Sequence, residues 1–177
     1  ILVAPTSVAM ALLAPLTGWL SEKFAPERLC ALGLAVNGVA LIFLSFLEPG
    51  SSAMEIIFGL GLMGVGMGIF QTPNNNLLMS SVPRHRLGVG SSVLSIVRSL
   101  GYSIGATLAT IIVSYSLLIS TGETSLQNLA VGAGTGSDSP VLAAFLRGYR
   151  YAFLIAAAVA FAGAVVSLWP ARRDDFN

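Results

Sequence analysis

Charge is what this sequence has least of: 10% of its 177 residues are Asp, Glu, Lys or Arg, against about 25% in a soluble domain. The net charge is +1, with no basic run and no alternation of basic and aromatic residues, which excludes a nucleic-acid partner. Cysteine is nearly absent as well. Cys30 stands alone in an apolar run, so an internal disulfide is excluded and the residue is expected to pack as a small hydrophobe. His85, flanked by Arg84 and Arg86, is the single histidine, too few ligands for a metal site. No Ser-His-Asp, Cys-His or paired-carboxylate arrangement stands in the chain, so neither an enzyme nor a cofactor is expected.

What is abundant is hydrocarbon. Fully 55% of the residues are hydrophobic and the mean hydropathy is +0.83. One soluble core at this length cannot hide so many Leu, Val, Ala and Ile, so a bilayer is the better solvent. The opening "ILVAPTSVAM" has no initiator Met, no basic start and no cleavage site. The expectation is a piece of a larger protein.

About 20 apolar residues cross the hydrocarbon core, and five segments qualify: roughly 1–20, 29–47, 53–81, 88–119 and 150–169. An external loop is expected at about 120–148, its "PVLAAFLRGY" forming a short interfacial helix, and a tail at 170–177. Alternating sides collect Lys23, Arg28, Arg84, Arg86, Arg172 and Arg173 together, and leave Arg147 and Arg150 with Glu48, Glu55, Glu123 and Asp138 opposite. The positive-inside rule puts the first group, and hence the C-terminus, in the cytoplasm.

"GLGLMG" at 59–64 fits the dinucleotide fingerprint but lies within a span, without the strand and downstream acid that motif needs. Gly61, Gly64 and Gly68 share a helical face instead, which predicts close helix packing. The polar exception is "GVGMGIFQTPNNNLLM". Gln71, Asn74 and Asn75 fall on one face, and Pro73 frees a carbonyl one turn earlier.

Arg98 is the charge inside a span, at a cost of at least about 2.5–3.5 kcal/mol, and marks a functional site by default. Counted from a turn centred on His85, Arg98 and the amides lie roughly 16–21 Å along their helices. Antiparallel neighbours would hold them level, with the amide oxygens accepting from the guanidinium. Tyr102 extends the stripe, and Gly101 and Gly105 make room beside it. Such a patch would line a cavity or control its cytoplasmic closure; gluing two helices is the plainer alternative. "GWLSEKFAPERL" adds Gly18, where helices can meet, and Glu22, Lys23, Glu27 and Arg28, whose pairings can bias a closure.

These two stretches carry a resemblance. "GWLSEKFAPERL" is similar to the signature loop of the major facilitator superfamily. "GVGMGIFQTPNNNLLMSSVPRHRLGVGSSVLSIVRSLGYSIGATLA" resembles a segment of its fourteen-helix drug:proton antiporter branch, and "LRGYRYAFLIAAA" the lead into that branch's last helix. Ala25 departs from the loop pattern, which usually has Gly there.

The resemblance implies an all-α integral membrane fold, with about five transmembrane helices from the second lobe of a bilobed transporter. The N-terminal lobe of the same chain would be missing. The implied activity is alternating access in a bacterial cytoplasmic membrane, expelling amphipathic or cationic small molecules, with protons as the counter-ion. Gly18, Glu22, Lys23 and Arg28 would form the cytoplasmic gate loop and Arg98 would belong to the central polar network. Every Asp and Glu falls in a loop or at a span edge, so the main proton carrier is expected elsewhere. Two rivals stand beside this reading: a metabolite transporter of the same superfamily, and a non-transporting scaffold that oligomerises through the Gly61/Gly64/Gly68 face.

Overall fold

The computed structural model describes residues 23–48, 50–121 and 140–169. They form four long helices: α1 Pro26–Ser45, α2 Ala53–Ser80, α3 Leu87–Thr121 and α4 Pro140–Leu168, with a 3-10 turn at Arg84–Arg86 before α3. Each of the four is long and apolar enough to span a bilayer. The segment expected at 1–20, with Gly18 and Glu22 after or within it, lies outside the described residues, as do 122–139 and the tail.

Local chemistry sets the helix starts. Pro26 opens α1, where a missing N–H costs nothing, and Glu27 in the same turn faces the positive end of the helix dipole. Ser52 caps α2 in a capping box: its Oγ accepts from the Met54 N–H at 3.1 Å, and Glu55 Oε2 accepts from the Ser52 N–H at 3.2 Å. Ser52→Ala is expected to destabilise the protein by about 1 kcal/mol, read as a lower unfolding temperature in detergent.

One expectation needs correction. Residues 140–148, assigned above to the external loop and a separate interfacial helix, belong to α4 itself. Pro140 sits at the first position, which tolerates proline. Gly148, which looks like a breaker, is a contact point: a Cβ there would lie 2.9 Å from Val113 Cα on α3. The glycine lets two helices touch and the helix runs through it.

Packing runs in the order α2, α1, α4, α3, while α2 and α3 meet only lightly. Small residues make each interface, as expected where lipid supplies no hydrophobic drive between helices. At α1/α2, a Cβ on Gly33 would lie 2.6 Å from Phe70 N, and one on Gly66 would lie 2.7 Å from Asn37 N. Gly59 receives Leu44 of α1 in the same interface. At α1/α4, the Phe161 ring covers Gly38, and Ala157, Ala160 and Ala164 form a buried stripe.

Polar and aromatic contacts fasten both ends. Ser167 Oγ donates to the Glu27 carbonyl at 3.1 Å, joining the end of α4 to the start of α1. At the opposite end the Arg150 guanidinium lies 4.6 Å over the Phe46 ring, and Phe43 meets Phe58 edge-on at 5.6 Å. α3, by contrast, is exposed along most of its length.

The glycine stripe also differs from the sequence expectation. Gly64 and Gly68 are buried, but a Cβ on Gly61 would meet nothing within 4 Å. The closest backbone approach uses Gly66 with Gly33, with Gly59 further along the same interface.

Candidate functional site: a polar bridge between α2 and α3

α2 carries the amide cluster around Pro73, the largest fully buried side chain among the described residues. Proline gives no N–H to the helix, so the carbonyl one turn earlier, at Ile69, has no partner from it. The chain reverses through the Arg84–Arg86 turn, and α3 returns past the cluster. Arg98 Nη2 donates to Asn75 Oδ1 at 3.1 Å in a part-buried setting. This charge-assisted bond spans a pair of helices that touch little elsewhere.

The other members are arranged differently. Gln71 and Asn74 are half-buried near this bond, and neither makes a side-chain hydrogen bond among the described residues. Tyr102 is 62% exposed on α3, so the structure does not add it to the bridge. Gly101 and Gly105 meet no neighbour within 4 Å among the described residues, and the helix surface around Tyr102 is bare. Lys23 and Arg28 are exposed at the start of α1.

Sequence reasoning gave no role to Asn37. Its Oδ1 is buried without a hydrogen-bond donor among the described residues, at the level where α1 meets Gly66 of α2. An unsatisfied buried oxygen costs roughly 1–3 kcal/mol. The available signal was Gly33 one turn before it, since a small residue beside an amide marks a close helix contact.

Between the Arg98–Asn75 bond and the turn, α2 and α3 diverge around an apolar groove of about 340 Å³. Leu78, Val82, Val89, Val93 and Val97 form its walls and Arg86 stands at its mouth. The arrangement is a polar contact that can be made or broken, next to a greasy surface of low chemical selectivity. It offers hydrogen bonding and electrostatics.

Residues 1–118 match the family model described as Major Facilitator Superfamily. The chain is 37% identical over 114 residues to "Uncharacterized transporter YebQ" of Escherichia coli strain K12, covering 64% of this chain and 25% of that one. It is 33% identical over 116 residues to "Multidrug resistance protein Stp" of Mycobacterium tuberculosis, covering 65% and 21% respectively. It is also 26% identical over 166 residues to "Riboflavin transporter RibZ" of Clostridioides difficile, covering 94% and 33%. The chain thus spans between about a fifth and a third of the length of these relatives. A family match across two-thirds of its length, with described residues that form four helices long and apolar enough to span a bilayer, places it: the chain belongs to the major facilitator superfamily.

Proposed function

We propose that the chain is part of a secondary active efflux transporter that exports small amphipathic or cationic compounds by proton antiport. The single observation that carries the site is the Arg98–Asn75 hydrogen bond, a charged bridge inside two apolar spans. A guanidinium at that depth is costly, and a bond across a lightly packed helix pair is well placed to break and re-form during alternating access. Gln71 and Asn74 lie near it and Tyr102 stands exposed one turn further along α3, open to substrate or water in another state. Gly18, Glu22, Lys23 and Arg28 would serve as the cytoplasmic gate loop.

Relatives named for multidrug resistance favour efflux of apolar compounds. The basic turn Arg84–Arg86 and the arginines Arg172 and Arg173 of the tail favour a cytoplasmic C-terminus in a bacterial inner membrane. Among the described residues no carboxylate lies deeper than the first turn of a helix, which fits a main proton carrier in a part of the transporter outside this chain. Arg98 would tune it across the lobe interface by lowering its pKa.

A second reading has one specific observation behind it: the match to the riboflavin transporter extends over 94% of this chain. Ethidium uptake into inverted vesicles containing the full-length protein separates the two. Efflux predicts uptake that needs an acid interior, collapses with a protonophore and is indifferent to riboflavin. Riboflavin transport without ethidium uptake would put the metabolite reading in its place.

A further inference from the structure

The end of the bundle opposite the Arg84–Arg86 turn holds a second groove, between α3 and α4, of about 430 Å³. Ile111, Ile112 and Ile119 of α3 make its apolar floor, Tyr115 and Tyr151 flank it, and Arg147 of α4 reaches it. We propose that this groove seats an anionic phospholipid, its phosphate on Arg147 and its acyl chain along Ile111 and Ile112. The inference rests on the chain's lying in a bilayer, and does not depend on what the transporter carries.

Three features point to a lipid. First, among the described residues the groove has charge without a counter-charge: no Asp or Glu lines it, and the Arg147 guanidinium has no partner. The neighbouring Arg150 is engaged on Phe46 and the Ser116 hydroxyl donates to the Ala144 carbonyl at 2.8 Å. The unused donors facing the groove are therefore Arg147 and the two phenols.

Second, the depth is right. Leu87 and Tyr115 are about 42 Å apart along α3 at 1.5 Å per residue. A bilayer with its headgroups measures about 40–45 Å. With the basic turn at one headgroup layer, Arg147 and Tyr115 stand at the other. Third, the walls suit an amphiphile. Tyr115 and Tyr151 are 63% and 61% exposed, as interfacial tyrosines are, with a polar tip above an apolar body. Gly148 draws α4 against Val113 and Ser116, which fixes Arg147 beside the groove.

The test uses the full-length protein in phosphatidylcholine nanodiscs doped with phosphatidylglycerol, with retained lipid counted by native mass spectrometry. Wild type is expected to keep phosphatidylglycerol in preference to phosphatidylcholine. Arg147→Gln is expected to lower retained phosphatidylglycerol about fivefold, the worth of one basic residue at an anionic surface. Arg147→Lys should stay near wild type. Ile111→Trp, which fills the floor and leaves the charge, should lower retention of both lipids. Equal phosphatidylglycerol retention in wild type, Arg147→Gln and Ile111→Trp would overturn the proposal, because another part of the protein would then occupy the groove. Loss in Arg147→Gln with full retention in Ile111→Trp would overturn it too, since only surface attraction would remain.

Discussion

Gly66→Leu is expected to destabilise the full-length protein by about 3 kcal/mol, at the upper end of what overpacking costs. The reason is what the new side chain would meet. A Cβ alone lies 2.7 Å from Asn37 N and 2.9 Å from Gly33 O, both backbone atoms that no rotamer change can move aside. α1 and α2 must separate, which loosens the Leu44–Gly59 contact further along the same interface. Gly33→Leu is expected to do the same from the other side, against Phe70 N. Gly61→Leu is the contrast, since nothing stands within 4 Å of its Cβ, and a change within about 0.5 kcal/mol is expected there. Unfolding temperature in detergent, followed by loss of monodisperse elution, reads all three. Equal destabilisation by Gly61→Leu and Gly66→Leu would contradict the helix faces described here.

Arg98→Ala is expected to cut transport by roughly tenfold or more while the protein still inserts, as loss of a hydrogen bond to a charged group predicts. The substitution removes the donor and leaves Asn75 Oδ1 without its partner. Arg98→Lys is expected to recover only part of the activity, because an ammonium cannot reproduce the planar fork of a guanidinium. Stability should fall less than for Gly66→Leu, since α2 and α3 share little other contact. Transport in proteoliposomes, normalised to inserted protein, is the measurement. Unchanged rates in Arg98→Ala, with an unchanged pH dependence, would remove Arg98 from the mechanism.

The depth of Arg98 was legible because helical rise is constant. Counting residues outward from the turn at His85 is enough to place Arg98 beside the amides, and the structure brings it to Asn75. Which amide accepts was not legible, since Gln71, Asn74 and Asn75 share one face and differ by less than the reach of an arginine. Hydropathy placed segments at 53–81 and 88–119 where α2 runs Ala53–Ser80 and α3 Leu87–Thr121. It could not place the start of α4. Arg147, Gly148 and Arg150 lower the local hydropathy, yet Gly148 serves the α3 contact and Arg150 rests on Phe46. The packing stripe of α2 holds at Gly64 and Gly68, which are buried, and fails at Gly61 for a related reason. Its glycines are frequent and its faces nearly equally apolar, so spacing alone does not choose Gly59 and Gly66 over Gly61. That choice is made by Gly33 and Asn37 on the neighbouring helix, which the spacing of the α2 glycines alone does not reveal.

The most direct test is a double-mutant cycle on Arg98 and Asn75 in the full-length protein, read as transport rate. Arg98→Ala, Asn75→Ala and the double variant are compared with wild type. If the bridge acts as a unit in transport, the double variant is expected to be little worse than Arg98→Ala, a coupling of about 1–2 kcal/mol. Effects that simply multiply would mean that the two residues act independently, and that the bond across α2 and α3 has no part in moving substrate.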